Sequence, residues 1–454
     1  MRIHFIAIGG SAMHNLALTL HDLGHEVTGS DDEIYEPSRS RLLKESLLPE
    51  QYGWYIDKIE PNINAIILGM HARIDNPELI QAKELGLRIY SYPEFIAEQS
   101  TYKTRVVVAG SHGKTTTTSI IMHALSHAGI DYDYLVGAQL EGFDRMVKLS
   151  DAGIIILEGD EYLSSPLDRR PKMMHYDPDI AIITGIAWDH INVFPTMENY
   201  VDQFRQFVVN MKLGSTLYYY QKDDFLQSLI EEGNHNCDAI SYTQIEVDIN
   251  KCISIENIEY KINLIGNHNL QNIKSAELVC SQLGVDASEF YCALQTFSGA
   301  DKRLQVLRKG REGKGNIYLD YAHAPSKVIA TTQAIKDWYP DAPLVAVFEL
   351  HTYSSLNKDF IPQYKGALAS ADRAVVFFSE HALKMKKMPE LENLFVKDSF
   401  DHPNLTVFSN REDLEKFLMN ENIENINLLL MTSGNFDKLP IKSILSIEDV
   451  NETK

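Results

Sequence analysis

Cysteine is scarce in this chain. Cys237, Cys252, Cys280 and Cys292 are its only four among 454 residues, and no two stand close together. That excludes a disulfide framework and a close-spaced zinc site, and it fits a reducing compartment. Positive charge is also short: 42 Lys and Arg face 63 Asp and Glu, for a net charge of −21. Such a surface argues against general nucleic-acid binding and against attraction to acidic membranes. A phosphate ligand stays possible wherever lysines and backbone N–H groups converge. No apolar run is long enough to span a bilayer. The opening MRIHFIAIGGSAMHNLALTL looks at first like a signal peptide, but His4, His14 and Asn15 interrupt it. Strand, turn and helix describe it better. Repeats and low-complexity segments are lacking too. A cytoplasmic protein is expected.

Hydrophobic residues make up 44% and charged residues 23% of the chain, an ordinary globular balance. The length suits about three domains of roughly 150 residues each. The fold class expected is α/β in three units. In the first, IHFIAIGG, HEVTGSD, AIILGMH and LRIYSY read as short strands with helices such as SAMHNLALTLHDLG between them. Alternating strands and helices imply a parallel sheet. The second unit starts near Thr104, with strands also at AGIIILEGDE and IAIITGIAWDH. Over about 214–265, STLYYY and CISIENIEYKINLIG suggest an antiparallel edge or side sheet, followed by the helix NHNLQNIKSAELVCSQLG. The third unit carries strands at GNIYLDY, PLVAVFEL, RAVVFF and INLLLMTSG. The expected division is 1–103, 104–296 and 297–454.

The stretch VVVAGSHGKTTTTSII, residues 106 to 121, reads as a buried strand, a glycine turn and a helix start. Gly110, Ser111, His112 and Gly113 turn the backbone so that its N–H groups can face a phosphate. Lys114 adds a cation, and the Thr115 hydroxyl suits Mg²⁺. The general spacing places four residues between the first glycine and Gly-Lys. Here Gly110 and Gly113 bracket two, and Val108 stands where that glycine is expected. Glu158, Asp160 and Glu161 end the next strand, where oxygen ligands could hold Mg²⁺. Asp189 and His190 end the one after. Asp168, Arg169, Arg170, Lys172 and His175 form a basic cluster, and arginine forks suit carboxylate or phosphate. In the first unit, Ala7, Gly9 and Ala12 occupy the three glycine positions of a dinucleotide fingerprint, a poor match. A glycine turn before a helix can still hold a diphosphate.

Taken in order, AGSHGKTTTT, EGDEY, the Asp189-His190 pair, GNHNLQN, ADKRLQVL, DYAHAPS and TSGNFDK resemble the Mur ligase family over essentially the whole chain. The short Gly110–Gly113 spacing is that family's own form. The resemblance implies an N-terminal Rossmann-like UDP-binding domain, a central P-loop ATPase-like domain and a C-terminal Rossmann-like domain. It implies a cytoplasmic, ADP-forming ligase that uses ATP and Mg²⁺ and works on UDP-N-acetylmuramate, with no nucleic-acid or membrane partner, as a monomer or weak homo-oligomer. Within the family, EGDEYLSSPLDRRPKMMHY is similar to the recycling ligase whose acceptor is L-alanyl-γ-D-glutamyl-meso-diaminopimelate. The alternative acceptor is L-alanine. FELHTYSSLNKDF departs from the recycling pattern, as does Ala324 in DYAHAPS.

The resemblance also implies residue roles. Lys114, Glu158 and His190 are the catalytic set, with Thr115, Glu158 and His190 as Mg²⁺ ligands. ATP would meet Gly110, Ser111, His112, Gly113, Lys114, Thr115 and Thr116, with Asn269 and Asn272 at the adenine, Arg303 at the phosphate or ribose, and Asp320 at the ribose. Ser11, Met13, Ser30, Asp31 and His71 would line the UDP site. Arg169, Arg170 and Lys172 would hold substrate carboxylates. No lysine follows the Asp-His pair within INVFPTMENYVDQFRQF, so no carbamylated lysine is expected there.

Overall fold

Continuous apolar strands such as Val106–Ala109 belong in sheets covered on both faces, and parallel pairing follows from that. The computed structural model describes all residues except 71, 139–141, 189–192, 249, 298, 300–302, 446 and 448–454. In the first unit, β1 (Arg2–Ile6), β2 (Glu26–Ser30), β3 (Ala65–Leu68) and β4 (Ile89–Ser91) form a parallel sheet in the order β2-β1-β3-β4. Helix Ser11–Asp22 follows β1 after a four-residue turn and buries Leu16, Ala17 and Leu20.

The central sheet comprises β5 (Thr104–Ala109), β6 (Asp133–Leu135), β7 (Val147–Lys148), β8 (Ile154–Glu158), β9 (Ile180–Ile183), β10 (Thr216–Tyr220) and β11 (Asp238–Tyr242). Its order is β11-β10-β9-β5-β8-β6-β7, with β7 antiparallel and the rest parallel. STLYYY therefore does not belong to an antiparallel side sheet. It supplies β10, flanked on both sides, and its buried Leu217 packs in the core as an interior parallel strand requires. The antiparallel element is the separate hairpin of β12 (Cys252–Ile255) and β13 (Ile258–Lys261). Helix Asn267–Gln282 lies on helix Lys114–His127, with Ile273, Ala276 and Val279 packed among Ile120, Ile121 and Leu125.

The third sheet comprises β14 (Gln305–Arg308), β15 (Ile317–Asp320), β16 (Leu344–Leu350), β17 (Arg373–Phe378), β18 (Leu405–Phe408) and β19 (Asn427–Met431), in the order β14-β15-β19-β16-β17-β18. β14 is antiparallel to β15 and the others are parallel. The edge strands β14 and β18 were not legible as strands in the sequence.

The units touch at specific polar contacts. Thr19 Oγ1 donates to the Val147 carbonyl at 3.0 Å, Asn15 Oδ1 accepts from the Met146 N–H at 3.0 Å, and Arg145 pairs with Asp22 at 2.8 Å. On the other side, His112 Nε2 lies 2.8 Å from Ser326 Oγ.

Candidate active site

The turn between β5 and helix Lys114–His127 works because two glycines adopt positive φ, 123° at Gly110 and 79° at Gly113. Space demands glycine there as well. A Cβ on Gly110 would stand 2.2 Å from Thr184 Oγ1, and one on Gly113 would stand 2.3 Å from Asn272 Oδ1. The loop is thus clamped between the end of β9 and helix Asn267–Gln282. Ser111 N–H donates to the Gly185 carbonyl at 2.9 Å, and Ser111 Oγ accepts the Ala187 N–H at 2.8 Å.

Lys114 Nζ donates to the Gly110 carbonyl and to Glu161 Oε2, both at 2.6 Å. Glu161 is 1% exposed and also accepts the Tyr200 hydroxyl at 3.0 Å. Burial pulls the Lys114 ammonium down, but Glu161, Asp160 and Glu158 outweigh it and hold its pKa above the usual lysine value. The cation is therefore fully charged and fixed beside the phosphate loop. Thr115 Oγ1 donates to Glu158 Oε1 at 2.9 Å, while Glu158 Oε2 accepts the Gly137 N–H at 2.9 Å. A hydroxyl and a carboxylate oxygen side by side make a hard donor pair suited to Mg²⁺.

A cavity of about 330 Å³ opens over this turn. Its walls bring together Ser111–Thr116, Glu158, Asn269, Asn272, Arg303 and Asp320, from regions that span more than 200 positions of the chain. Gly110 adjoins it through the loop. The helix residues are anchored from below, with Asn269 Nδ2 donating to the Ile265 carbonyl at 2.8 Å. Asp320 accepts the Leu304 N–H and the Ala322 N–H, each at 2.7 Å, and so fixes the turn that carries Arg303. The Arg303 guanidinium lies over the Tyr321 ring, 4.8 Å from its centroid. Sequence reasoning missed Tyr220, Lys222, Asp223, His268 and Lys327 on the same walls. Tyr220 ends β10 and Lys222 and Asp223 follow it, in a stretch whose sequence suggests an antiparallel edge or side sheet instead of an interior strand facing the site.

The first unit is less convergent. Gly9 N–H donates to Asp31 Oδ2 at 2.7 Å. Burial, with Asp32 adding to it, pushes the Asp31 carboxyl up to about 6, although Gly9 opposes the shift. A cavity of about 240 Å³ is lined by Asp31, Asp32, Trp54 and Arg73 among others. Ser11, Met13 and Ser30 do not line it. Met13 packs in the hydrophobic core, Ser30 is buried against Lys58, and Ser11 Oγ reaches Met146 Sδ at 3.6 Å. His71, Asp189 and His190 lie outside the described residues.

Two cations of the basic cluster have carboxylate partners within the chain. Arg170 grips Asp168 at 2.5 Å, and Lys172 pairs with Asp160 at 2.6 Å. Burial opposes charge on Asp160, yet Lys172 and Lys114 prevail and keep it well below the usual carboxylate range. Two of the three cations thus already hold carboxylates of this chain. Arg169 is exposed, with no ion pair among the described residues.

A phosphate-loop lysine, a hydroxyl–carboxylate pair and a cavity shared by two α/β units are the features a nucleotide-using enzyme needs. Three family models cover the chain in sequence. Mur ligase family, catalytic domain, matches residues 2–104; Mur ligase middle domain matches 108–280; Mur ligase, glutamate ligase domain, matches 302–435. The UDP-N-acetylmuramate–L-alanine ligase of Agathobacter rectalis is 30% identical over 96% of this chain and 96% of its own. Among solved structures, the UDP-N-acetylmuramate-alanine ligase of Thermotoga maritima matches with a TM-score of 0.69 at 22% identity, covering 96% of this chain and 97% of that one. A murein peptide ligase of Psychrobacter arcticus matches at 0.66 and 22%, covering 99% and 100%. The chain belongs to the Mur ligase family, and it is an ATP-dependent ligase forming C–N bonds in peptidoglycan synthesis.

Proposed function

We propose that this chain joins the carboxylate of UDP-N-acetylmuramate to the amine of L-alanine, releasing ADP and phosphate. The observation that carries the choice of acceptor is the pairing of Arg170 with Asp168 and of Lys172 with Asp160. Those cations were the physical reason to expect a peptide with several carboxylates. The full-length likeness to L-alanine ligases supports the same reading. Because it consumes ATP and a UDP-sugar, the reaction is placed in the cytoplasm.

In this reading ATP occupies the cavity over the 110–116 turn. The muramoyl carboxylate attacks the γ-phosphorus, the bond to ADP breaks, and an acyl phosphate forms. Lys114 transfers its contact from Glu161 to the phosphoryl oxygens, where negative charge is concentrated in the transition state. Glu161 and Tyr200 keep the lysine aimed at the loop until then. Thr115 and Glu158 would hold Mg²⁺, which when bound neutralises charge on the nucleotide phosphates. The amine then attacks the acyl carbonyl and phosphate leaves. Asn269 and Asn272 are assigned to the adenine side of the cavity, Arg303 to phosphate or ribose, and Asp320 to the ribose edge. Asp31 is assigned to the UDP-sugar.

The second reading keeps the tripeptide acceptor. It is favoured by the segment DRRPKMMHY, where Arg169 still offers an exposed guanidinium. Comparing kcat/KM for L-alanine and for the tripeptide, at fixed ATP and UDP-N-acetylmuramate, separates the two. One charge-assisted contact is worth roughly 1.5–3 kcal/mol, about tenfold to a hundredfold. L-Alanine should be preferred by at least that much. A higher value for the tripeptide would establish the second reading instead.

A further inference from the structure

Glu349 sits near the C-terminal end of β16 and is 1% exposed. Its Oε2 accepts the Thr432 hydroxyl and, at 2.9 Å, the Phe436 N–H. Its Oε1 faces His351 Nδ1 at 3.6 Å. That nitrogen is buried and makes no hydrogen bond among the described residues. Gly434 makes room for the ring, since a Cβ there would stand 2.6 Å from His351 Cγ and Nδ1. The imidazole thus stands with Nδ1 toward a carboxylate that is itself fixed by Thr432 and Phe436, which leaves Nε2 as its other nitrogen. The His351 side chain is 32% exposed.

The placement points to the second half of the reaction. β15, β19 and β16 are neighbours, and Asp320, Thr432 and Glu349 stand at their C-terminal ends. Two strand spacings, about 10 Å, separate Asp320 on the nucleotide cavity from the pair. Parallel sheets take ligands in the crevice outside those strand ends. We propose that His351, oriented by Glu349, removes a proton from the acceptor's ammonium group so that the amine can attack the acyl phosphate. This rests on the ligase reading above.

An amino-acid acceptor arrives mostly as an ammonium ion at neutral pH and has no lone pair to attack with. His351 Nε2 takes one proton, while Nδ1–H turns to Glu349, so the imidazolium forms against a carboxylate. The freed lone pair forms the C–N bond at the acyl carbonyl. The C–O bond to phosphate breaks with its electrons on the phosphate. The second amine proton leaves with that phosphate, and the imidazolium returns its proton to water. His351 is the catalytic residue of the pair and Glu349 positions it. In resting geometry 3.6 Å exceeds a hydrogen bond, as catalytic contacts often do before substrates close the site.

Hydroxylamine tests this, because it is already an unprotonated nucleophile near neutral pH and traps an acyl phosphate as a hydroxamate. Wild-type enzyme with UDP-N-acetylmuramate, ATP and hydroxylamine should form hydroxamate. His351→Gln should form it at a rate within a few-fold of wild type, with KM for ATP unchanged. With the better of the two amino acceptors, the same variant should lose about 10²–10⁴-fold in kcat/KM. Glu349→Gln should show the same split with a smaller loss. If His351→Gln loses both products equally, or neither, the proton-transfer role is overturned. If wild type forms no hydroxamate, the acyl-phosphate reading is overturned, and the dyad with it.

Discussion

Lys114→Ala should reduce ligation by about 10³-fold or more while leaving UDP-N-acetylmuramate binding within a few-fold of wild type. Removing one preorganised group that stabilises transition-state charge costs about 10²–10³ in rate, and Lys114 brings a full charge. Its ammonium is fixed by two contacts of 2.6 Å at the mouth of the nucleotide cavity. The sugar nucleotide is assigned to the first unit, around Asp31, on a different sheet. One complication follows from the structure. The truncation leaves Glu161, 1% exposed, as a buried carboxylate without its cation. Breaking a buried pair from one side typically costs about 3–5 kcal/mol of stability. Lys114→Met combined with Glu161→Gln removes both charges and separates the effects. This double variant should melt near wild type and still fail to ligate. Near-normal turnover in either variant would show that Lys114 does not carry the phosphoryl step.

Glu158→Gln should be the second severe change. The glutamine amide is nearly isosteric, so the fold around Thr115 and Gly137 is kept in outline. Its carbonyl can accept only one of the two hydrogen bonds that Glu158 receives at 2.9 Å from Thr115 Oγ1 and Gly137 N–H. More importantly, the donor pair loses its negative charge, and Mg²⁺ sites usually rest on one or two protein carboxylates. The expected outcome is a fall in kcat of about 10²-fold or more, with a rise of at least tenfold in the Mg²⁺ concentration needed for half-maximal rate. A variant that lost activity with an unchanged Mg²⁺ dependence would place Glu158 outside the metal site.

Much of the candidate site over the 110–116 turn was legible because its residues are local in sequence. The 110–116 turn combines an apolar strand, glycines at positive φ and a lysine on a helix start, and each of those leaves a mark within ten residues. Its short glycine spacing matched the family's form, but the steric reason for the glycines came only with the fold. The loop is pinched by Thr184 and Asn272, and neither contact can be read from the turn itself. Glu161 shows the converse. Its acidity was visible beside Glu158, but its role as the partner of Lys114 depends on Tyr200, which lies in a helix far along the chain. The partners of the basic cluster were hidden for a related reason. Charges can be counted in a sequence, whereas the pairing of Lys172 with Asp160 depends on how the segment folds back. β10 was misread because tyrosines at its end resemble an exposed edge, while Thr216 to Tyr218 are buried between β9 and β11. β11 is mostly exposed and β14 has no fully buried residue, so neither shows the continuous apolar run of an interior strand.

The most direct measurement is ADP release by the full chain with substrates omitted one at a time. With ATP, Mg²⁺, UDP-N-acetylmuramate and L-alanine all present, ADP should appear continuously, one for each amide formed. Leaving out either the muramoyl carboxylate or the amine should stop it. ADP release that continues unchanged without those two substrates would contradict a ligase and leave a simple nucleotide hydrolase.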